Sequence, residues 1–252
     1  MATGRTVLKW SKVYVDGYDL SGVTRTFGPL TVTMEEADGT ALGDAIKGAL
    51  PNQPMINVGT INCVFDNTAG ASHPVLDSQA SRTVMLPLGM RAAPVAGDDV
   101  FCGSFSQKEF LLAPSDSGSV VTLSASFTGW AADAATVLYG LPWGSLVHAK
   151  AAETAVNSAS GIDDRGAQTT KGGYLCYQFF SSNGTATLKV QDSADNSSFA
   201  DLVSAGSLDA SSAPKHGLVV LANTATVRRY LRWQIVFGTA TTATFALAFV
   251  RI

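Results

Sequence analysis

Apolar and polar residues alternate along most of this chain, and Gly, Asp, Asn, Ser and Pro interrupt the alternation at short intervals. A period of two marks a strand with one buried face, so the pattern predicts β-structure nearly throughout. Thr6 to Val15 reads as the first strand and Leu30 to Met34 as the second. Glu35 to Thr40 reads as an acidic turn. Ala41 to Leu50 reads as a short helix or an irregular loop ended by Pro51, with Gly43 and Gly48 counting against the helix. From Glu35 to Pro54 few residues need a core, and so long an excursion inside a compact domain is usually functional or mobile.

Met55 to Phe65 alternates as a strand and closes in the turn Asp66–Gly70. Pro74 to Ser81 predicts a helix of about two turns, with proline at the permitted first position. Arg82–Leu88, Asp99–Leu112 and Val120–Phe127 are further strands, the last two forming a hairpin around Pro114–Ser119. Ala131 to Leu146 is bland and then turn-rich, and is the expected seam. Val147–Val156 follows as a strand, and polar Ser158–Thr170 as a loop. Gly173–Phe180 and Ala186–Gln191 flank Asn183-Gly184, which predicts a hairpin joining them, and Asp192–Ser198 is a second turn. His216–Leu221, Arg229–Phe237 and Ala243–Arg251 complete the strands. The expected fold is mainly β: a sandwich or barrel domain with one or two short helices over residues 1–138, then an antiparallel β-sandwich over residues 139–252.

Charged residues are 15% of the 252, against roughly a quarter in an average domain. So lean a surface suits one covered by neighbouring copies. The net charge of −3 divides unevenly: residues 1–138 carry 8 Lys and Arg against 13 Asp and Glu, giving −5, and residues 139–252 carry 9 against 7, giving +2. The first half is therefore not a basic nucleic-acid-binding domain. No run approaches the roughly 18–20 apolar residues that span a bilayer, and Met1–Arg5 lacks the apolar core of a signal peptide. The expectation is a chain that stays in a reducing cytoplasm, without membrane contact, where the sequons at Asn183 and Asn196 have no meaning. Cys63, Cys102 and Cys176 lie far apart in apolar stretches and read as buried small hydrophobes.

The search for chemistry returns no catalytic residues, no cofactor site and no metal site. The serine-hydrolase elbow, the zincin helix and the phosphate-binding loop are all missing. His73, His148 and His216 are isolated in sequence from carboxylate and Cys, and are expected in turns or on the surface. Asp192, Asp195 and Asn196 suggest calcium, but they depart from the EF-hand pattern, and Asx-rich turns mostly bond their own backbone. Glu35-Glu36 and Asp98-Asp99 are adjacent pairs whose side chains point to opposite faces of a strand, which is unsuited to general acid–base work. Arg228, Arg229, Arg232 and Arg251 form the one basic concentration. They pack their stems at a sandwich edge, or Arg228 and Arg232 make an intersubunit salt bridge. Trp10, Trp130, Trp143 and Trp233 read as core or seam residues, although an aromatic on a sandwich surface can also stack on a sugar.

Two stretches carry a resemblance. Lys12-Val13-Tyr14-Val15-Asp16-Gly17-Tyr18-Asp19-Leu20-Ser21-Gly22 resembles the opening strand of long-tailed bacteriophage tail tube (major tail) proteins. Ala186 to Leu202, followed by Arg229-Tyr230-Leu231-Arg232-Trp233, is similar to β-sandwich modules of phage structural proteins and to carbohydrate-binding sandwiches. Together they cover most of the chain, loosely between residues 66 and 98. The resemblance implies six-membered rings that join their sheets into an inner barrel and stack into a tube, with the C-terminal sandwich outside as decoration. Stacking would use the N-terminal segment and the Glu35–Pro54 loop, with Glu35, Glu36, Asp38, Leu42, Ile46 and Leu50 as its assembly residues. Glu35, Glu36 and Asp38 would face the lumen, where negative charge repels duplex phosphate. The implied partners are further copies of the chain and other tail proteins, with tape-measure protein and double-stranded DNA passing through without specific binding. The implied location is the virion tail, assembled in the host cytoplasm. The alternative is a capsid-decorating or fibre-like phage protein whose sandwich binds host glycans. A hydrolase on a β-scaffold has no residue constellation behind it.

Overall fold

The computed structural model describes residues 8–40, 49–78, 80–90, 92–114, 118–130, 142–154 and 163–252. The protein is mainly β. A 3-10 turn (Leu8–Trp10) leads into β1 (Tyr14–Val15), β2 (Tyr18–Asp19), β3 (Thr24–Phe27), β4 (Thr31–Asp38) and β5 (Ala49–Val64). The helix α1 (Ser72–Leu76) precedes β6 (Ser81–Pro87), β7 (Asp99–Ala113), β8 (Thr122–Trp130), β9 (Trp143–Glu153) and β10 (Asp163–Asp164). The remaining strands are β11 (Gly173–Ser182), β12 (Thr185–Ser193), β13 (Ala200–Asp209), β14 (Lys215–Val220), β15 (Tyr230–Phe237) and β16 (Ala243–Arg251).

These strands make two sheets. A 12-stranded antiparallel sheet runs β14-β11-β16-β9-β7-β6-β1-β2, with β8, β5, β3 and β4 branching from the far half of β7. The second sheet is β10-β15-β12-β13. The branch arises because β7 is long: it pairs with β9 at Asp99–Phe101 and with β8 from Phe105 to Ala113. The main sheet thus takes strands from both sides of residue 139.

Period-two alternation sorts side chains into separate cores. Along β16, Phe245, Leu247 and Phe249 point to the core shared with the second sheet, where they meet Leu188, Val190, Leu231, Trp233 and Ile235. The intervening Ala246, Ala248 and Val250 point the other way, into a layer with Tyr14, Met85, Val100, Cys102, Tyr174 and Cys176. Strands β6 and β7 alternate likewise. Met85, Val100 and Cys102 face that middle layer, while Val84, Leu86, Phe101 and Phe105 face the core curled inside the N-terminal strands with Ile61, Leu123 and Phe127. A strand buried on both faces reads as a near-continuous apolar run, as β11 and β16 do. The small Ala and Cys side chains in the middle layer let the two halves approach closely. All three cysteines are buried and unpaired.

Several local readings are corrected. The turn Asn183-Gly184 joins β11 to β12 across the two sheets and is not a hairpin, since β11 pairs with β14 and β16 while β12 pairs with β13 and β15. The acidic stretch Glu35–Asp38 belongs to β4, and Leu50 to Pro54 belong to β5. The helix is Ser72–Leu76, and Ser81 already opens a strand. The segment before β1 is a 3-10 turn where a strand was expected. Ala200–Asp209 is a strand that the alternation did not single out.

Candidate interaction surfaces

The first surface is a two-stranded ribbon. β4 pairs with β5 from Thr31↔Asn57 to Asp38↔Ala49, whereas β8 covers β5 only from Asn57 onward. Among the described residues, no strand pairs with the outer edge of β4 or with the second edge of β5 before Asn57. Proline cannot donate to a ladder and is tolerated at sheet edges. Pro51 and Pro54 stand in that uncovered part of β5, and β4 contains no proline. The β5 edge is therefore poorly suited to accept another strand, and the β4 edge is suited to it. Glu35 lies in a register shift between Met34 and Glu36, Glu36 lies opposite Pro51, and Leu50 lies opposite Ala37. Asp38 is exposed and accepts the Thr40 N–H at 3.0 Å. Leu42 and Ile46 lie outside the described residues.

The second surface is the outer face of β5 and β8. Asn57↔Thr128, Thr60↔Ser126 and Asn62↔Ser124 are cross-strand pairs. Ile61↔Ala125 and Cys63↔Leu123 alternate with them and point into the core. Asn62 donates to Thr26 Oγ1 at 2.8 Å, and Thr128 Oγ1 donates to Asn57 Oδ1. These pairs are all hydroxyls and amides. Exposed Leu111 and Glu109 border them on β7.

The third feature is a buried polar junction between the chain's two halves. Asp16 sits at φ 51°, in the left-handed region that Asp tolerates, in the turn between β1 and β2. Its carboxylate accepts Thr83 N–H at 2.8 Å and Arg82 Nη1 at 2.9 Å, and lies 3.4 Å from His216 Nδ1. Next to it, Gly17 N–H donates to Gln178 Oε1, and Gln178 Nε2 donates to Thr83 O at 3.0 Å. Arg82 is further held by Gln107 and Ser78. His216 Nδ1 also lies 3.0 Å from Thr83 Oγ1, so the partly exposed imidazole closes the cluster on its outer side.

The fourth is a cleft at the end of the main sheet, lined by Asp99, Trp143, Ser145, Arg165, Thr169 and Arg251 among others, with a volume of about 390 Å3.

His148 is buried, correcting the surface expectation. It stacks on Phe245 at 4.2 Å and meets Trp233 edge-on at 4.7 Å. Its Nε2 lies 3.0 Å from Glu153, and burial pushes its pKa below 6.5 with partial relief from Glu153. Asp195 accepts the N–H groups of Ser197 and Ser198 and the Ser193 hydroxyl, and Asp192 accepts Arg228 N–H at 2.8 Å. Asp195 thus serves its own turn, whereas Asp192 ties β12 to the segment that precedes β15. Arg228 Nη1 is 3.7 Å from Asp192, and Arg232 donates to Gln191 and lies over the Phe199 ring. Arg229 forks onto Asp164, whose pKa it holds at about 2.

The junction and the cleft escaped sequence reading because their residues come from segments far apart in the chain. The signals present were Asp16-Gly17, read only as a turn, and Trp143, read as a core or seam residue that could also stack on a sugar. No family model and no curated protein matches this chain.

Proposed function

We propose that the chain is a self-assembling virion structural protein, a tail tube subunit of a long-tailed bacteriophage whose rings stack into a tube that conducts DNA. The observation that carries the reading, beside the resemblance at Lys12–Gly22, is the β4–β5 ribbon with its proline-free outer edge. An exposed edge is a liability in a monomer, and ring closure removes it. In this reading β4 accepts a strand from the neighbouring copy, Glu35, Glu36, Asp38 and Leu50 of the ribbon reach the next ring, and Leu42 and Ile46, which lie outside the described residues, are assigned to the same contact. The uncharged hydroxyl and amide face of β5 and β8 suits a wall along which duplex DNA slides, since it offers phosphate no cation to hold. The reading assigns no catalysis and no cofactor. Its partners are further copies of the chain, other tail proteins, and DNA and tape-measure protein in transit.

The test is electron microscopy of purified protein over a concentration series, beside a shortened variant. Thr33 and Met55 are partners across the ribbon, so residues 34–54 can be excised and the two joined through Asn-Gly with register kept. Hollow tubes or stacked rings from the full chain, and monomers from the variant, are the expected result. Monodisperse monomers or trimers at high concentration, unchanged by the excision, refute it in favour of a decorating or fibre-like protein.

A further inference from the structure

The cleft at the end of β7, β9 and β16 has the makings of a ligand site independent of the assembly reading. Its volume of about 390 Å3 falls at the small end of the roughly 300–1,000 Å3 usual for small-molecule sites. Trp143 leaves 40% of its surface exposed there, and Phe101 meets it edge-on at 5.2 Å between centroids. The indole is thus a fixed apolar platform, with little entropy to lose when something stacks on it.

The charges around the cleft offset one another. Arg165 is paired with Asp163 at 2.8 Å, and the same carboxylate accepts the Ser145 hydroxyl. Arg251 turns its terminal nitrogens to the main-chain carbonyls of Ala167, Arg228 and Arg229. Asp99 is exposed at the rim. Two guanidinium groups and two carboxylates leave no net attraction for an anion. Among the described residues, Arg251 Nε, an N–H of a cationic guanidinium, and the neutral Thr169 Oγ1 are buried without a hydrogen-bond partner. Native structures leave few such atoms unpaired, and each one calls for an occupant nearby.

A flat aromatic platform, a hydroxyl, a guanidinium N–H donor and a carboxylate acceptor fit a saccharide. Its C–H face covers an indole, and its hydroxyls both donate and accept. We propose that this cleft binds a short neutral saccharide, stacked on Trp143 with its hydroxyls directed to Asp99, Thr169 and Arg251. Thr169 Oγ1 and Arg251 Nε lie beneath the surface, so the hydroxyls meet them only once those side chains shift toward the cleft.

The test is saturation-transfer-difference NMR with tryptophan fluorescence on the full chain. The probes are glucose, galactose, N-acetylglucosamine, cellobiose and maltose, with inorganic phosphate as the anion control. Trp143→Ala and Thr169→Val are compared with the parent chain after circular dichroism has shown both folded. The expected result is saturable binding of at least one sugar, weakened about tenfold or more by Trp143→Ala and less by Thr169→Val. Absence of saturable binding for every sugar, binding of phosphate alone, or a sugar signal indifferent to Trp143→Ala overturns the proposal. Burial of Trp143 only on self-association also overturns it and makes the cleft a contact between copies. Failure of tube formation leaves this result untouched, so the two readings fail separately.

Discussion

Replacing Asp16 by alanine removes an acceptor that β6 and β14 share. The carboxylate is 10% exposed and its Arg82 partner 11%, so the pair is not the solvent-screened kind that contributes little. Breaking a buried pair by deleting one partner costs about 3–5 kcal/mol, because the remaining charge is left uncompensated. Here Arg82 keeps its bonds to Gln107 and Ser78, which argues for the lower end. Against that, Thr83 N–H loses its acceptor, and alanine at φ 51° adds about 1 kcal/mol of backbone strain. The expected loss is about 4 kcal/mol, equivalent to a melting temperature lower by about 8–16 °C in a chain of this size.

Asp16→Asn separates the contributions. Asparagine tolerates the left-handed backbone and keeps an oxygen for Thr83 N–H, but it lacks the charge that Arg82 meets, so about 1–2 kcal/mol is expected. Urea denaturation of the two variants, of Arg82→Ala and of the double variant Asp16→Ala/Arg82→Ala forms a cycle, with a coupling of about 1.5–3 kcal/mol expected for a pair in direct contact. A loss under about 1 kcal/mol for Asp16→Ala, or equal losses for the alanine and asparagine variants, would refute the claim that a buried charge pair holds this junction.

Two further outcomes follow from the same structure. Gly17 lies at φ +81°, and a Cβ there would stand 2.5 Å from Cβ of Pro214, so Gly17→Ala should destabilise the protein by roughly 2–4 kcal/mol through strain and overpacking, and a denaturation midpoint within error of the parent refutes that. Burial lowers the pKa of His148 and His216 below 6.5, with Glu153 and Asp16 opposing and, at His216, Arg82 and Lys215 reinforcing. Between those lowered values and 6.5 the unfolded chain takes up protons that the native state does not. Stability is therefore full above about pH 6.5 and falls as the pH drops below it. Urea midpoints should decrease from pH 7.5 to pH 5 and decrease less in His148→Gln, and a midpoint that rises on acidification excludes the mechanism.

Much of the strand content was legible because burial on one face imposes a period of two, and Met55–Phe65, Arg82–Leu88 and Arg229–Phe237 show it plainly. What alternation cannot say is which core each face meets. Phe245 and Ala246 differ by one position and belong to different layers, and only long-range pairing decides that. Asn183-Gly184 marked a reversal correctly, but the partner of β11 is chosen by β14 and β16, so a hairpin signal became a corner between sheets. Charges and prolines between Glu35 and Pro54 hid a ribbon, because an edge open to solvent accepts residues that a central strand excludes. His148 looked isolated because its ring partners Trp233 and Phe245 arrive from the far end of the chain, and because Glu153, an odd number of positions along β9, shares its face only through a register shift.

The junction also changes what the Lys12–Gly22 resemblance weighs. Asp16 is bonded from Arg82 and Thr83, and Gly17 has no room for a side chain beside Pro214. Tyr14 and Val15 on the same strand face the middle layer and the N-terminal core. The stretch is thus fixed by the packing of the N-terminal strands onto the C-terminal half, a demand of folding that holds whether or not rings form. The packing of this junction alone accounts for these residues, so the stretch carries no weight for assembly. Assembly is a demand on other residues, the β4 edge and the face of β5 and β8. A chain that kept Asp16-Gly17 but carried a proline in the middle of β4 would fold alike, and in the assembly reading it would not form tubes.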